Sequence, residues 1–400
     1  MKIQIALVLA VMLSACNHKP APQQSAVPGP CDIALAPTSD AAITKLQTRV
    51  RDSKTPLAFL EQLGWAYIAK AHTTFDPGYY KLAEQTALCM ESKKPGSAEA
   101  MLLRGRVLHS LHKFKEGEVV ARELVAKRGL HFDYGLLGDV LMEQGRLDEA
   151  ADAYQTMMDQ KPSPQAYSRA AHLRWLKGDL PGAIELMQLA AGSGNEPWFR
   201  VRLALYELQA GNTERAAALV SEDNSYPPAL LARGRVLLSQ GKAAEAIEPL
   251  QRAAQATQLP EYLWVLDETQ RAAGRSDEAK ITEEILKRRG AADDPRTYAL
   301  YLATRGEDVE TALKLAQEEL KARADVFTLD AVAWAWMAAG DQEQAAIFMR
   351  RALAEGTQDA RLQLHARIVL GTPVSVRPEL LLPSEKTLLA AHPVLQASRN

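Results

Sequence analysis

Aromatic residues make up only 6% of this 400-residue chain, cysteine occurs three times, and neither sign of charge predominates. So few cysteines exclude a disulfide-dense scaffold, and a formal net charge of −2 argues against a general nucleic-acid-binding surface. The motifs that announce common chemistry are missing as well. There is no Gly-rich phosphate loop, no His-Glu-x-x-His, no Gly-x-Ser-x-Gly and no Cys-x-x-Cys. Those absences argue against an enzyme, and no cofactor or metal is expected. His109 and His112 are spaced to face one side of a helix, but without a third ligand they read as solvated histidines.

What is present begins at the N-terminus, where MKIQIALVLAVMLSAC places one basic residue and an apolar run ahead of small residues and Cys16. The run is too short for a membrane span and has the form of an export signal. Leu13, Ser14, Ala15 and Cys16 resemble a bacterial lipobox, which implies cleavage before Cys16 and a diacylglycerol on its thiol. Asn17, where inner-membrane lipoproteins often carry Asp, points by the same resemblance to the outer membrane facing the periplasm. Residues 17–30 hold four prolines and no hydrophobic period, as expected of a semi-extended tether. In an exported chain Cys31 and Cys89 are either disulfide-bonded or, alternatively, a free Cys31 and a buried, inert Cys89.

Residues 141–162, LMEQGRLDEAADAYQTMMDQKP, are echoed by QRAAGRSDEAKITEEILK at 270–287. Aligned on its alanine, the phrase recurs at Ala83, Gly117, Ala150, Ala183, Ala216, Ala246, Ala279, Ala312 and Ala345, with spacings of 34, 33, 33, 33, 30, 33, 33 and 33. A glycine stands five residues ahead of most of these alanines, where a left-handed residue would close one helix before the next begins. Tyr134, Leu137, Gly138 and Leu141 share one helical face, and Ala150, Tyr154 and Met157 another. The unit is therefore a helical hairpin with an apolar stripe on each helix. Neither stripe is buried unless neighbouring hairpins stack.

This unit resembles the tetratricopeptide repeat. The third copy carries the pattern at Leu137, Gly138, Ala150, Tyr154 and Pro162, and the first at Leu63, Gly64, Tyr67, Ala83 and Pro95, with HTTFDPGYY lengthening its turn by about seven residues. The expected fold class is all-α, an α-α superhelix. Its divisions are a lipoprotein signal peptide over 1–15, a lipidated cysteine and tether over 16–39, and an N-terminal capping helix over 40–56. About nine repeats follow over 57–358, then a C-terminal capping helix over 359–371 and a Pro-containing tail over 372–400. The tail either covers the last repeat or lays its PELLLP segment in a groove.

Tetratricopeptide arrays present the inner faces of their first helices. Projected that way, the concave surface carries Trp65, Arg106, His109, Asp139, His172, Trp175, Arg235, Trp264, Arg271 and Trp334. Trp and Arg concentrate binding energy because they join large contact area to a polar handle. Arg106, Asp139, His172, Trp175 and Arg235 are expected to form a strip between the second and sixth repeats, with Trp175 dispensable for folding. The repeated Lys and Asn of chaperone-binding members are absent from the inner positions, which disfavours a clamp for a partner's C-terminus. The reading that results is a non-enzymatic scaffold or assembly factor, lipid-anchored in the envelope, holding a protein or peptide partner in its groove. The alternative is an envelope binding protein for a glycan, a cell-wall fragment or another small ligand.

Overall fold

The structure is a computed structural model that describes residues 27–221 and 225–393. Cys16, the signal sequence and most of the tether lie outside the described residues. Among those described there are 22 α-helices, one short 3-10 helix and no strand, and no helix is long and apolar enough to cross a membrane.

Two helices precede the repeats: α1 (Pro30–Ala34) and α2 (Ala41–Asp52), the latter capped by Asp40, which accepts from the backbone of Ala42 and Ile43. The tether thus gives way to helix earlier than its proline content suggests. A disulfide joins Cys31 on α1 to Cys89, with the Cα atoms 4.8 Å apart.

Nine hairpins follow. The first three are α3 (Leu57–Thr74) with α4 (Gly78–Lys93), α5 (Ala98–Ser110) with α6 (Phe114–Lys127), and α7 (His131–Glu143) with α8 (Leu147–Gln160). The next three are α9 (Pro164–Leu176) with α10 (Leu180–Ser193), α11 (Pro197–Ala210) with α12 (Thr213–Leu219), and α13 (Pro227–Ser239) with α14 (Ala243–Ala256). The last three are α15 (Pro260–Ala272) with α16 (Ser276–Asp293), α17 (Pro295–Arg305) with α18 (Val309–Ala322), and α19 (Val326–Ala338) with α20 (Gln342–Leu353). A capping helix α21 (Ala360–Leu370), a 3-10 turn over Pro378–Leu380 and α22 (Pro383–Ala391) complete the chain.

Two features of the spacing acquire structural causes. The extra residues in HTTFDPGYY do not lengthen the first turn, as expected from the sequence, but extend α3 to 18 residues, leaving only Phe75, Asp76 and Pro77 as the connection. Where the repeat contracts to 30 residues, α12 has shrunk to seven.

Within each hairpin a small residue lets the helices approach. A Cβ added at Gly138 would lie 2.3 Å from the ring of Tyr154, so the Tyr154 ring occupies the space that glycine leaves. The buried stripes merge into continuous clusters that run from one hairpin to the next, as stacking requires.

The solenoid also comes back on itself, which the repeat pattern did not announce. The amide of Ala324, between α18 and α19, donates to the Glu143 carbonyl at the end of α7 over 3.1 Å. Arg323 faces the Glu143 carboxylate at 3.5 Å, and Lys177 pairs with Glu355 at 3.0 Å. The third and fourth hairpins therefore touch the eighth and ninth, and the concave face becomes the lining of an inner channel.

Candidate functional site: the inner channel

The channel contains a chamber of about 460 Å³, within the range of small-molecule sites. Its lining comes from α7, α9, α11, α13, α15, α17, α19, α21 and the tail. An aromatic wall stands on one side. The ring of Trp175 stacks with His172 (5.3 Å between centroids) and Phe327 (5.5 Å) and packs at a tilt against Tyr206 (5.7 Å), and its indole N–H donates to Gln209 Oε1 at 2.5 Å. Phe327 arrives from α19, so this stack crosses the channel and ties the fourth hairpin to the ninth.

Charges of both signs line the rest. Arg235 pairs with Glu261 at 2.8 Å, and Arg296 with Asp325 at 3.1 Å. Burial raises the Glu143 carboxyl, reinforced by the nearby Asp325, whereas Arg296 and Arg323 outweigh the burial of Asp325 and hold its carboxyl low. Arg202 also lines the chamber, and among the described residues no carboxylate forms an ion pair with it. Burial, with Arg202 adding to it, lowers the neighbouring His172 to about 3, so that imidazole is neutral at ordinary pH.

Beside the chamber a second polar cluster closes on Asp139. Its carboxylate receives Arg106 at 2.8 Å, Arg169 in two bonds of 2.8 Å each, and the Tyr154 hydroxyl at 2.9 Å. Burial would raise the Asp139 carboxyl, but Arg169 and Arg106 overcome that and hold it well below the carboxylate range. Neighbouring His109 is pushed down to about 3, chiefly by burial and then by Arg106. This arrangement is fully paired, and it reads as a structural tie between consecutive first helices.

The expected groove residues are thus divided. His172, Trp175 and Arg235 line the chamber, while Arg106, His109 and Asp139 belong to the adjacent cluster. Trp175 is only 7% exposed and is held by three rings and a hydrogen bond, so the expectation that it is dispensable for folding is corrected: it is part of the wall. Trp264 (1% exposed) and Trp334 (5%) are likewise packed within the array, Trp334 against the buried ring of His365 at 4.1 Å. Trp65 packs on the first hairpin's core, and Arg271 is occupied by Asp267 at 3.0 Å and Glu283 at 2.5 Å, away from the chamber. The strip is consequently displaced toward the C-terminal half. Projection missed Arg169 and Arg202, which lie one helical turn ahead of the chosen rows. It also missed Arg323, Asp325 and Phe327, which enter only because the solenoid closes.

The tail settles into this channel. Leu381 and Leu382 are buried, the amide of Ser384 donates to Glu268 Oε2 at 2.9 Å, and the buried Glu385 pairs with Arg361. Arg361 in turn lies over the Trp264 ring at 4.4 Å. Arg377 bonds the Gln209 carbonyl at the end of α11.

The sequence profile of the tetratricopeptide repeat family matches residues 136–196 and 201–260, and these hairpins are tetratricopeptide repeats. No curated protein matches the chain in sequence. Among solved structures, human IFIT1 in its dimer with PPP-AAAA aligns over 74% of this chain and 72% of its own, at 15% identity and a TM-score of 0.50, in agreement with the α-α superhelix. The APC/C hetero-tetramer Cut9-Hcn1 aligns over 84% of this chain at 14% identity and a TM-score of 0.48, and the chain spans 61% of that protein's length. Pseudomonas aeruginosa pilF aligns over 50% of this chain and 92% of its own, at 15% identity and a TM-score of 0.39.

Proposed function

We propose that the protein is a non-enzymatic scaffold, lipid-anchored in the bacterial envelope, that holds an extended segment of a protein partner in its inner channel. One observation carries this reading: the channel already lodges a polypeptide, the chain's own Pro378–Leu382 stretch, with two leucines buried, Arg377 bonding the Gln209 carbonyl ahead of it, and the Ser384 amide and Glu385 carboxylate held after it. The adjoining chamber offers an aromatic wall and an arginine without a carboxylate, a combination suited to binding hot spots. Anchoring rests on the sequence LSAC at residues 13–16 and the proline-rich stretch behind it; two acyl chains give the stable attachment that one does not. The net charge and the many chamber carboxylates disfavour nucleic acid. A second reading, a binding protein for a glycan or cell-wall fragment, draws on the chamber's volume and its aromatic face.

Crosslinking in the native envelope separates the two. Arg202→Ala combined with Arg235→Ala is expected to release the captured protein while helicity and thermal midpoint stay unchanged. The outer-face changes Glu149→Ala and Glu185→Ala are expected to leave capture intact. Specific retention of a glycan with no protein would overturn the scaffold, and mass spectrometry finding an unmodified Cys16 would overturn the anchor.

A further inference from the structure

The seat of the tail is well shaped but incompletely matched. Of residues 378–391 only Leu381, Leu382 and Glu385 are buried; the others are half-buried or exposed. At the same place Trp264 Nε1, Glu268 Oε1 and Ser384 Oγ are buried without a hydrogen-bond partner from the protein. The tail thus fills the apolar slot with its two leucines while these polar atoms beside it take no partner from the protein. The stretch leading to it, residues 372–377, forms no helix, and its residues are exposed or half-buried.

The recognition elements are nonetheless definite. A slot takes two adjacent leucines. Arg361, braced on Trp264, takes the glutamate three residues after the second leucine, and that same carboxylate accepts from the Leu382 amide at 2.8 Å, fixing the start of the helix. Glu268 takes an amide N–H of the helix's first turn.

Building on the scaffold reading above, we propose that residues 378–391 are an intramolecular stand-in, and that the partner segment takes this same seat by displacing them. The partner segment shares their chemistry: two adjacent leucine-sized aliphatic residues, a proline that opens a short helix, and a glutamate at its third position. An occupied seat lowers the apparent affinity for any incoming segment by the fraction of molecules in which the seat is free.

The test uses a fluorescent peptide of residues 376–393 and the full chain. Anisotropy is expected to show weak binding to the native chain and binding at least about tenfold tighter to the full chain carrying Leu381→Ser and Leu382→Ser. Adding Arg361→Glu to that variant is expected to abolish the gain, and a peptide with both leucines replaced by serine is expected not to bind. Equal binding to the native and tail-released chains overturns the proposal. So does an absence of binding when hydrogen exchange shows 378–391 released and helicity intact. Should the double serine variant lose helicity, Glu385→Lys releases the tail through its pair with Arg361 and is read by the same two outcomes. Failure here while envelope crosslinking still captures a protein sinks the exchange alone; failure of both sinks the scaffold reading.

Discussion

Gly145 and Gly241 form a matched pair for measuring how firmly the solenoid closes. Both follow first helices, and both hold φ at 75°. They differ only in what lies outside. A Cβ at Gly241 meets nothing within 4 Å, whereas one at Gly145 would stand 2.4 Å from the Ala324 carbonyl oxygen, a backbone atom that cannot rotate away. Gly→Ala at either site carries the left-handed cost of about 1–2 kcal/mol. At Gly145 the methyl also forces apart the turn whose Glu143 carbonyl receives the Ala324 amide, adding an overpacking cost of about 1–3 kcal/mol. Denaturant unfolding of the two variants gives the difference directly, and exchange of the Ala324 amide reports whether the contact has opened. We expect Gly145→Ala to lose more stability than Gly241→Ala and to lose protection at Ala324. Equal losses with Ala324 still protected would show that the third and eighth hairpins do not bear on one another, and the closed channel would fall.

Trp175→Ala removes a ring held by three others and should cost about 3–5 kcal/mol in unfolding free energy; a loss below about 1 kcal/mol would return Trp175 to the role of a free binding anchor. Cys89→Ser opens a cross-link spanning 58 residues, worth about 4 kcal/mol by the chain-entropy account, and the loss should be confined to α1, α2 and the first hairpin in hydrogen exchange. His109 and His172, held near 3 mainly by burial, stay neutral in the folded chain while the unfolded chain takes up protons below about 6.5, so stability should fall as pH drops from about 6.5 toward 3. Asp139, held low in the folded chain, adds a further loss only below about pH 4. Replacing both histidines with glutamine should flatten the upper part of that slope, and an unchanged slope in urea titrations would contradict their burial.

The hairpin count and the positions of the turns could be read in advance because the signals are local. A small residue at the crossing and a glycine at the turn act within one unit, and Ala150 and Gly145 mean the same thing wherever the phrase recurs. Closure is different in kind. It joins Glu143 to Arg323 and Lys177 to Glu355 across most of the array, and it depends on a small rotation accumulated over several hairpins, which no single repeat reports. That is why Trp175 was legible as an inner-face residue but not as a cross-channel tie, and why Phe327 gave no signal at all. The tail was legible as apolar and proline-punctuated; its seat, made by Trp264 and Glu268 on α15 together with Arg361 on α21, was not.

The claim that the inner channel holds a protein segment is tested most directly from Leu238, which lines the chamber and belongs to none of its ion pairs. A photo-crosslinking amino acid at that position, activated in intact cells and followed by mass spectrometry of the adduct, should yield one covalent protein partner joined through an extended peptide, and the same probe at outer-face Glu185 should yield none. An adduct with a glycan, an equal protein yield from position 185, or no adduct at position 238 would contradict it.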